Sequence, residues 1–107
     1  KKALTEQYPF FDYATIPADT YKGQTDPFEG LNVGSAHLVS HANVSEELVY
    51  DITKAIYENR ETLVEKHKAA KSIQPGNVVR NTGVSFHPGA IRYYQEIGIW
   101  PEASAAE

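Results

Sequence analysis

No residue of the chain is cysteine, which excludes disulfides, thiolate metal centres and thiol catalysis and leaves the redox compartment open. No apolar stretch approaches the roughly 20 residues needed to span a bilayer. The start, Lys1-Lys2-Ala3-Leu4-Thr5, has neither an initiator methionine nor the apolar core of a signal peptide. Basic residues are few, 10 Lys and Arg against 14 Asp and Glu, for a net charge of -4. Binding to nucleic acid or to an anionic membrane needs clustered cations, and the densest cluster, Lys66 to Lys71, is interrupted by His67 and two alanines. It reads as a solvated helix end.

Constellations for chemistry are missing too. No serine sits in a nucleophile-elbow glycine pattern. Gly23 to Gly30 has P-loop-like spacing without the Lys and Ser/Thr that must follow. His37 and His41 fall on a segment that reads as strand, where four residues span about 13 Å, too far to share one ion. His67 and His87 have no recognisable ligand partners. Catalytic residues, metal sites and cofactors are therefore all expected to be none.

What is present is a globular composition, 41% hydrophobic and 22% charged in 107 residues, sized for one domain or a piece of a larger one. Tyr8 to Ile16 is aromatic and β-branched and predicts a strand. Pro17 removes a ladder donor, so regular pairing should stop there. Thr20 and Tyr21 then place two hydroxyls beside Gly23, where the backbone can turn or approach another group closely. Leu31 to Ala42 predicts a second strand by its alternation and small residues. Asn43 or Ser45 can cap a helix, with Glu46 and Glu47 at the positive end of its dipole. Leu48, Ile52, Ala55 and Ile56 form its expected buried stripe, extended by Val49, Tyr57, Leu63 and Val64. This helix continues or restarts near Arg60 and fades around Ile73. Gln74-Pro75-Gly76 breaks it, and a short helical turn and loop follow. The last helix starts at Pro88, with Ala90, Ile91, Tyr94 and Ile97 as its apolar face and Gly98 at its end. His87 either caps that helix or leaves its amides open to an anion. Seven tyrosines are many for this length, and Tyr8, Phe10, Phe11, Tyr13 and Tyr21 gather near the start. They suit a ligand cleft and a core with one wet end equally.

Ile16-Pro17-Ala18-x-Thr20-Tyr21-x-Gly23-Gln24 resembles a signature of the TAXI-type substrate-binding proteins of TRAP transporters. Val49 to Asn59 is similar to a downstream helix of that family, and His87 to Gly98 to its C-terminal helix, in the same order. Lys22, where the family often has Pro, and Asp19, where it often has Gly, are departures. The resemblance implies an α/β chain, the C-terminal portion of a two-lobed, type II periplasmic-binding-protein-like fold. Two main strands are followed by two or three helices, within a single partial domain over 1–107. Residues 1–42 would hold the strands and a crossover loop between lobes, 43–98 the helices, and 99–107 a frayed tail. The implied role is that of a periplasmic or extracytoplasmic receptor that is not an enzyme. It would bind a small carboxylate or amino acid (glutamate-like) and deliver it to the membrane permease subunits of a TRAP-type, ion-coupled transporter. Ile16, Pro17, Thr20, Tyr21 and Gly23 become the expected ligand-cleft or hinge residues. A portion without its remainder should expose apolar surface and self-associate. The competing reading is a free-standing helical interaction module with no small-molecule ligand.

Overall fold

A computed structural model describes residues 2–32 and 34–101. They form two compact units: residues 2–32 and 34–37 with 81–83, and residues 38–80 with 84–101. The architecture is mixed α/β, with two antiparallel strands and five α-helices among the described residues.

The first unit opens with helix α1, Lys2–Gln7, which precedes strand β1, Asp12–Ile16. The strand expected from Tyr8 thus starts four residues later. Tyr8, Phe10 and Phe11 instead fold over one another, with ring centroids 4.8 to 6.1 Å apart. Gly83, at φ +80, closes against this cluster, and a Cβ there would lie 3.1 Å from the Phe10 ring. Strand β1 ends at Ile16, immediately before Pro17, as the missing donor requires. Strand β2 is Phe28–Asn32, paired antiparallel to β1 from Ile16↔Phe28 to Asp12↔Asn32.

One expectation is corrected here. The second strand does not run from Leu31 to Ala42: β2 is earlier, and 34–42 has no regular secondary structure. Its alternation finds no ladder, and Leu38 and Val39 are more than 70% exposed. Residues 17–27 join these two antiparallel partners of one sheet as a hairpin excursion.

The second unit is built on α2, Glu46–Glu58, and α5, Pro88–Glu96. Ser45 caps α2, its hydroxyl accepting from the Leu48 amide at 3.2 Å. Asn59 ends α2 and α3 restarts at Arg60–Lys66; a 3-10 stretch, Lys68–Ser72, and the single turn α4, Pro75–Val78, follow. The Arg60 guanidinium lies over the Tyr57 ring and donates to the Tyr57 carbonyl at 2.9 Å, satisfying a terminal acceptor of α2. Helix α5 stops in a Schellman motif: Gly98, at φ +74, donates to the Gln95 carbonyl, and Ile99 donates to that of Tyr94. Ile99 and Trp100, placed in the frayed tail by sequence, are held by this motif and by the Trp100 ring, which stacks on Tyr94 and meets Phe86 edge-on. The rest of that tail, 102–107, lies outside the described residues.

The α2–α5 contact is very close at Gly89. A Cβ there would fall 2.7 Å from the Tyr50 amide nitrogen and 2.9 Å from the Val49 Cβ, and it would also strike the Glu46 carbonyl. Tyr93, one turn on, is the most buried large side chain at 2% exposure, and its ring meets Tyr50 and Tyr57 edge-on. The buried face of α2 is thus Val49 and Tyr57, with Thr53 and Ile56 half-buried. This rotates the expected stripe: Leu48, Ile52 and Ala55 point outward, Leu48 at 51% exposure. On α5, likewise, Gly89 and Tyr93 are buried and Ile97 is exposed. The interface rim is polar. The Tyr50 hydroxyl donates to Glu96 Oε2 at 2.6 Å, and Arg92 pairs with Glu46 at 3.2 Å while lying over the Tyr50 ring.

Gly89→Ala should force α2 and α5 apart and cost about 1–3 kcal/mol, the usual penalty of overpacking, read as a lowered urea midpoint. The same interface carries a pH dependence. The hydrogen bond to Glu96 raises the Tyr50 pKa, and burial raises those of Tyr93 and Tyr94. A folded-state value above the ordinary tyrosine value of about 10 favours the neutral, folded form below it. That stability is lost as pH climbs through the raised values. The urea midpoint should therefore hold to about pH 10 and fall beyond it. Tyr93→Phe should flatten the decline, and an unchanged alkaline slope in that variant would contradict the assignment.

Candidate functional site

Ile16, the last residue of β1, and Pro17, Thr20, Tyr21 and Gly23, in the excursion that follows it, lie at one end of the hairpin. Its geometry comes from backbone turns that its own side chains fix. The Tyr21 carbonyl accepts from the Gln24 amide at 3.0 Å, and Gly23, the third residue of that turn, has φ +86. That φ is the one a type II turn needs at its third position, where glycine costs least. Lys22 holds the second position, where proline is also favoured, so its departure from the family's usual residue keeps the turn. Asp19 adopts φ 63, the left-handed region open to glycine and tolerated by Asp. Its amide donates to the Gln24 carbonyl at 2.9 Å. Both departures are therefore compatible with one loop geometry.

The two hydroxyls end differently. Thr20 Oγ1 donates to the Pro17 carbonyl at 2.7 Å and is spent inside the loop, with its lone pairs left as acceptors. Tyr21 is 66% exposed and presents its ring to solvent. The tip can thus offer one aromatic face, one phenolic donor and acceptor, and the Thr20 acceptor to a polar solute. Pro17 shapes it through its fixed φ and its carbonyl, and nothing lies within 4 Å of a Cβ built on Gly23.

Sequence reasoning left Gln24 out of the site, although its side chain is the most connected in the loop. No periodicity marks such a residue; its signals are its place right after a turn glycine and at the end of the family-like signature. Three of the four histidines bond to their own backbone. His41, His67 and His87 each accept, through Nδ1, from the backbone amide two residues on, at 3.0 to 3.1 Å. This puts the proton on Nε2, and in His87 that nitrogen reaches the Val44 carbonyl at 3.0 Å. His87 thus caps α5, which settles the choice between cap and anion site. Among the described residues no group of three or more His, Asp or Glu is placed to hold a metal. The tyrosines divide as well: Tyr50, Tyr57, Tyr93 and Tyr94 build the helical core, Tyr8 joins the phenylalanines, and Tyr21 stands in solvent.

The sequence model of the NMT1-like family matches residues 1–98. The match covers nearly the whole chain, so the protein belongs to the NMT1-like family, a family of periplasmic solute-binding proteins. Its role is accordingly extracytoplasmic solute binding, in a family that binds and does not catalyse. Such a protein works with a small-molecule ligand and a membrane transporter. Among the described residues, no helix is long and apolar enough to cross a membrane.

The turn assignment predicts opposite responses at two neighbouring positions. Lys22→Pro fixes a φ the turn already requires and should raise stability by about 0.4–1 kcal/mol. Asp19→Val forces a β-branched residue into the left-handed region and should cost about 1–2 kcal/mol. Chemical denaturation of the two variants measures both.

Proposed function

With membership of the NMT1-like family as premise, we propose that this chain is the C-terminal portion of a TAXI-type receptor. The receptor binds a small carboxylate or amino acid, glutamate-like in chemistry, and passes it to the permease subunits of a TRAP-type ion-coupled transporter. The observation that carries the site assignment is the hairpin tip, an ordered turn that holds Tyr21 66% exposed beside Thr20. An aromatic residue fixed on a rigid turn and left uncovered suits the wall of a cleft whose other side is supplied by another lobe. Ile16, Pro17 and Gly23 set the geometry of that wall, and Thr20 and Tyr21 face the solute. Solute that touches both sides stabilises the closed arrangement, so capture is a shift of population towards it.

Exposed Leu48 and Ile52 support a second expectation, that the chain on its own self-associates through apolar surface. The same exposure is what a free-standing helical interaction module would show. The receptor reading is preferred because the family match runs through strands, hairpin and helices alike.

A thermal-shift panel of amino acids and dicarboxylates on the full-length receptor tests the ligand class, because a ligand that binds only the native state raises its Tm. Glutamate or a related carboxylate should produce the largest rise. Tyr21→Ala should weaken that ligand roughly tenfold, about 1.4 kcal/mol. Equal affinity in the variant would remove Tyr21 from the site.

A further inference from the structure

The hairpin excursion 17–27 has no helix or strand of its own, and only Ala18 and Gln24 within it are half-buried. A loop this long and this exposed has little apolar contact to order it. It is nevertheless tied at six points to one residue. Gln24 Nε2 donates to the carbonyls of Asp26 at 2.9 Å and Pro17 at 3.1 Å, with a longer approach to that of Ile16 at 3.4 Å. Gln24 Oε1 accepts from the Tyr21 amide at 3.3 Å. The Gln24 backbone donates to the Tyr21 carbonyl and accepts from the Asp19 amide. Three carbonyl oxygens around one terminus and an N–H at the other fix which end of the carboxamide is which.

From this geometry we infer that Gln24 is the positioning residue of the solute-binding tip: its carboxamide clamps the backbone of Tyr21 and so sets where the Tyr21 ring is presented. This rests on the reading of the tip as a cleft wall. Tyr21 is held on both sides of its Cα, its amide by the Gln24 side chain and its carbonyl by the Gln24 main chain. The Pro17 carbonyl receives both Thr20 Oγ1 and Gln24 Nε2, filling its two lone pairs and joining the start of the excursion to its tip. The Asp26 carbonyl joins the end of the excursion to the same group.

Neither the shorter amide nor the matching acid can do this. Asn is one methylene short of spanning from Tyr21 to Asp26. Glu has the right length, but when ionised it offers only acceptors and would set a charged oxygen against the carbonyls of Pro17 and Asp26. The required chemistry is a donor and an acceptor at the end of a two-methylene arm. A local clamp of this kind makes the tip's order independent of the helical core, since every tie lies within residues 16–26.

Gln24→Glu at neutral pH, compared with the unaltered chain by amide hydrogen exchange, tests the inference. The amides of Asp19, Tyr21 and Gln24 should exchange at least tenfold faster, while those of the β1–β2 ladder and of α2 and α5 keep their rates. Unchanged exchange at the three loop amides would overturn the clamp. A uniform acceleration across the chain would also overturn it, by showing Gln24 to be needed for the fold as a whole. Titration of the full-length receptor with L-glutamate forms the second arm. Affinity should fall tenfold or more in Gln24→Glu, with little change in the Tm of the unliganded protein. Released loop amides with glutamate affinity intact would leave the clamp standing and overturn the cleft-wall reading. Absence of glutamate binding to the unaltered receptor would overturn the glutamate assignment and not the clamp.

Discussion

The contact between Gly89 and the backbone of α2 is the constraint on which the helical unit depends. Because residue 89 carries no side chain, α5 approaches until its first turn lies against the Glu46 carbonyl, the Tyr50 amide and the Val49 side chain. That approach carries Tyr93 into the interface one turn later, where its ring is enclosed by Tyr50 and Tyr57. His87 prepares the approach from outside the helix. It caps the Gly89 amide through Nδ1 and reaches the Val44 carbonyl through Nε2, so one ring fixes the start of α5 and the entry to α2. The polar rim of Tyr50, Glu96, Arg92 and Glu46 then closes over a core that is mostly tyrosine. A tyrosine core tolerates a wet rim, since each ring can bury its face and leave its hydroxyl at an edge.

The hairpin tip is ordered by a different means. It has no core of its own, and its conformation comes from hydrogen bonds within a single excursion, with glycine and aspartate at the two positive φ positions. On the proposed reading of the tip as a cleft wall, stability and recognition come from separate places in the sequence. The helices can hold while the tip is altered, which suits a surface that must meet a solute and then release it. Membership of a solute-binding family gives that separation its use.

The features most legible in the sequence were those with a local chemical cause. Ser45, His87, Pro88 and Gly98 mark helix ends through capping, a preset φ and a left-handed terminator, and each does so in the structure. Pro17 ends its strand because it lacks a donor. The features hidden from sequence were those decided by a partner far along the chain. Leu48 and Ile52 are more apolar than Tyr57 and Thr53, yet α2 turns the tyrosine face inward because Gly89 and Tyr93 meet it there. Leu31 to Ala42 alternates like a strand, but a strand exists only where a neighbour supplies a ladder, and β1 pairs with Phe28–Asn32. At the candidate site, the residues with turn chemistry were legible and the clamping role of Gln24 was not, because a side chain that bonds to main-chain groups leaves no periodic pattern in one sequence.

The central claim is that the hairpin tip forms part of a solute-binding cleft, and its most direct test is a crystal structure of the full-length receptor with its carboxylate solute bound. An atom of Thr20 or Tyr21 should lie within about 4 Å of the solute, on an excursion whose turn is unchanged. A bound solute enclosed entirely by other residues, with Tyr21 still facing bulk solvent, would contradict the claim.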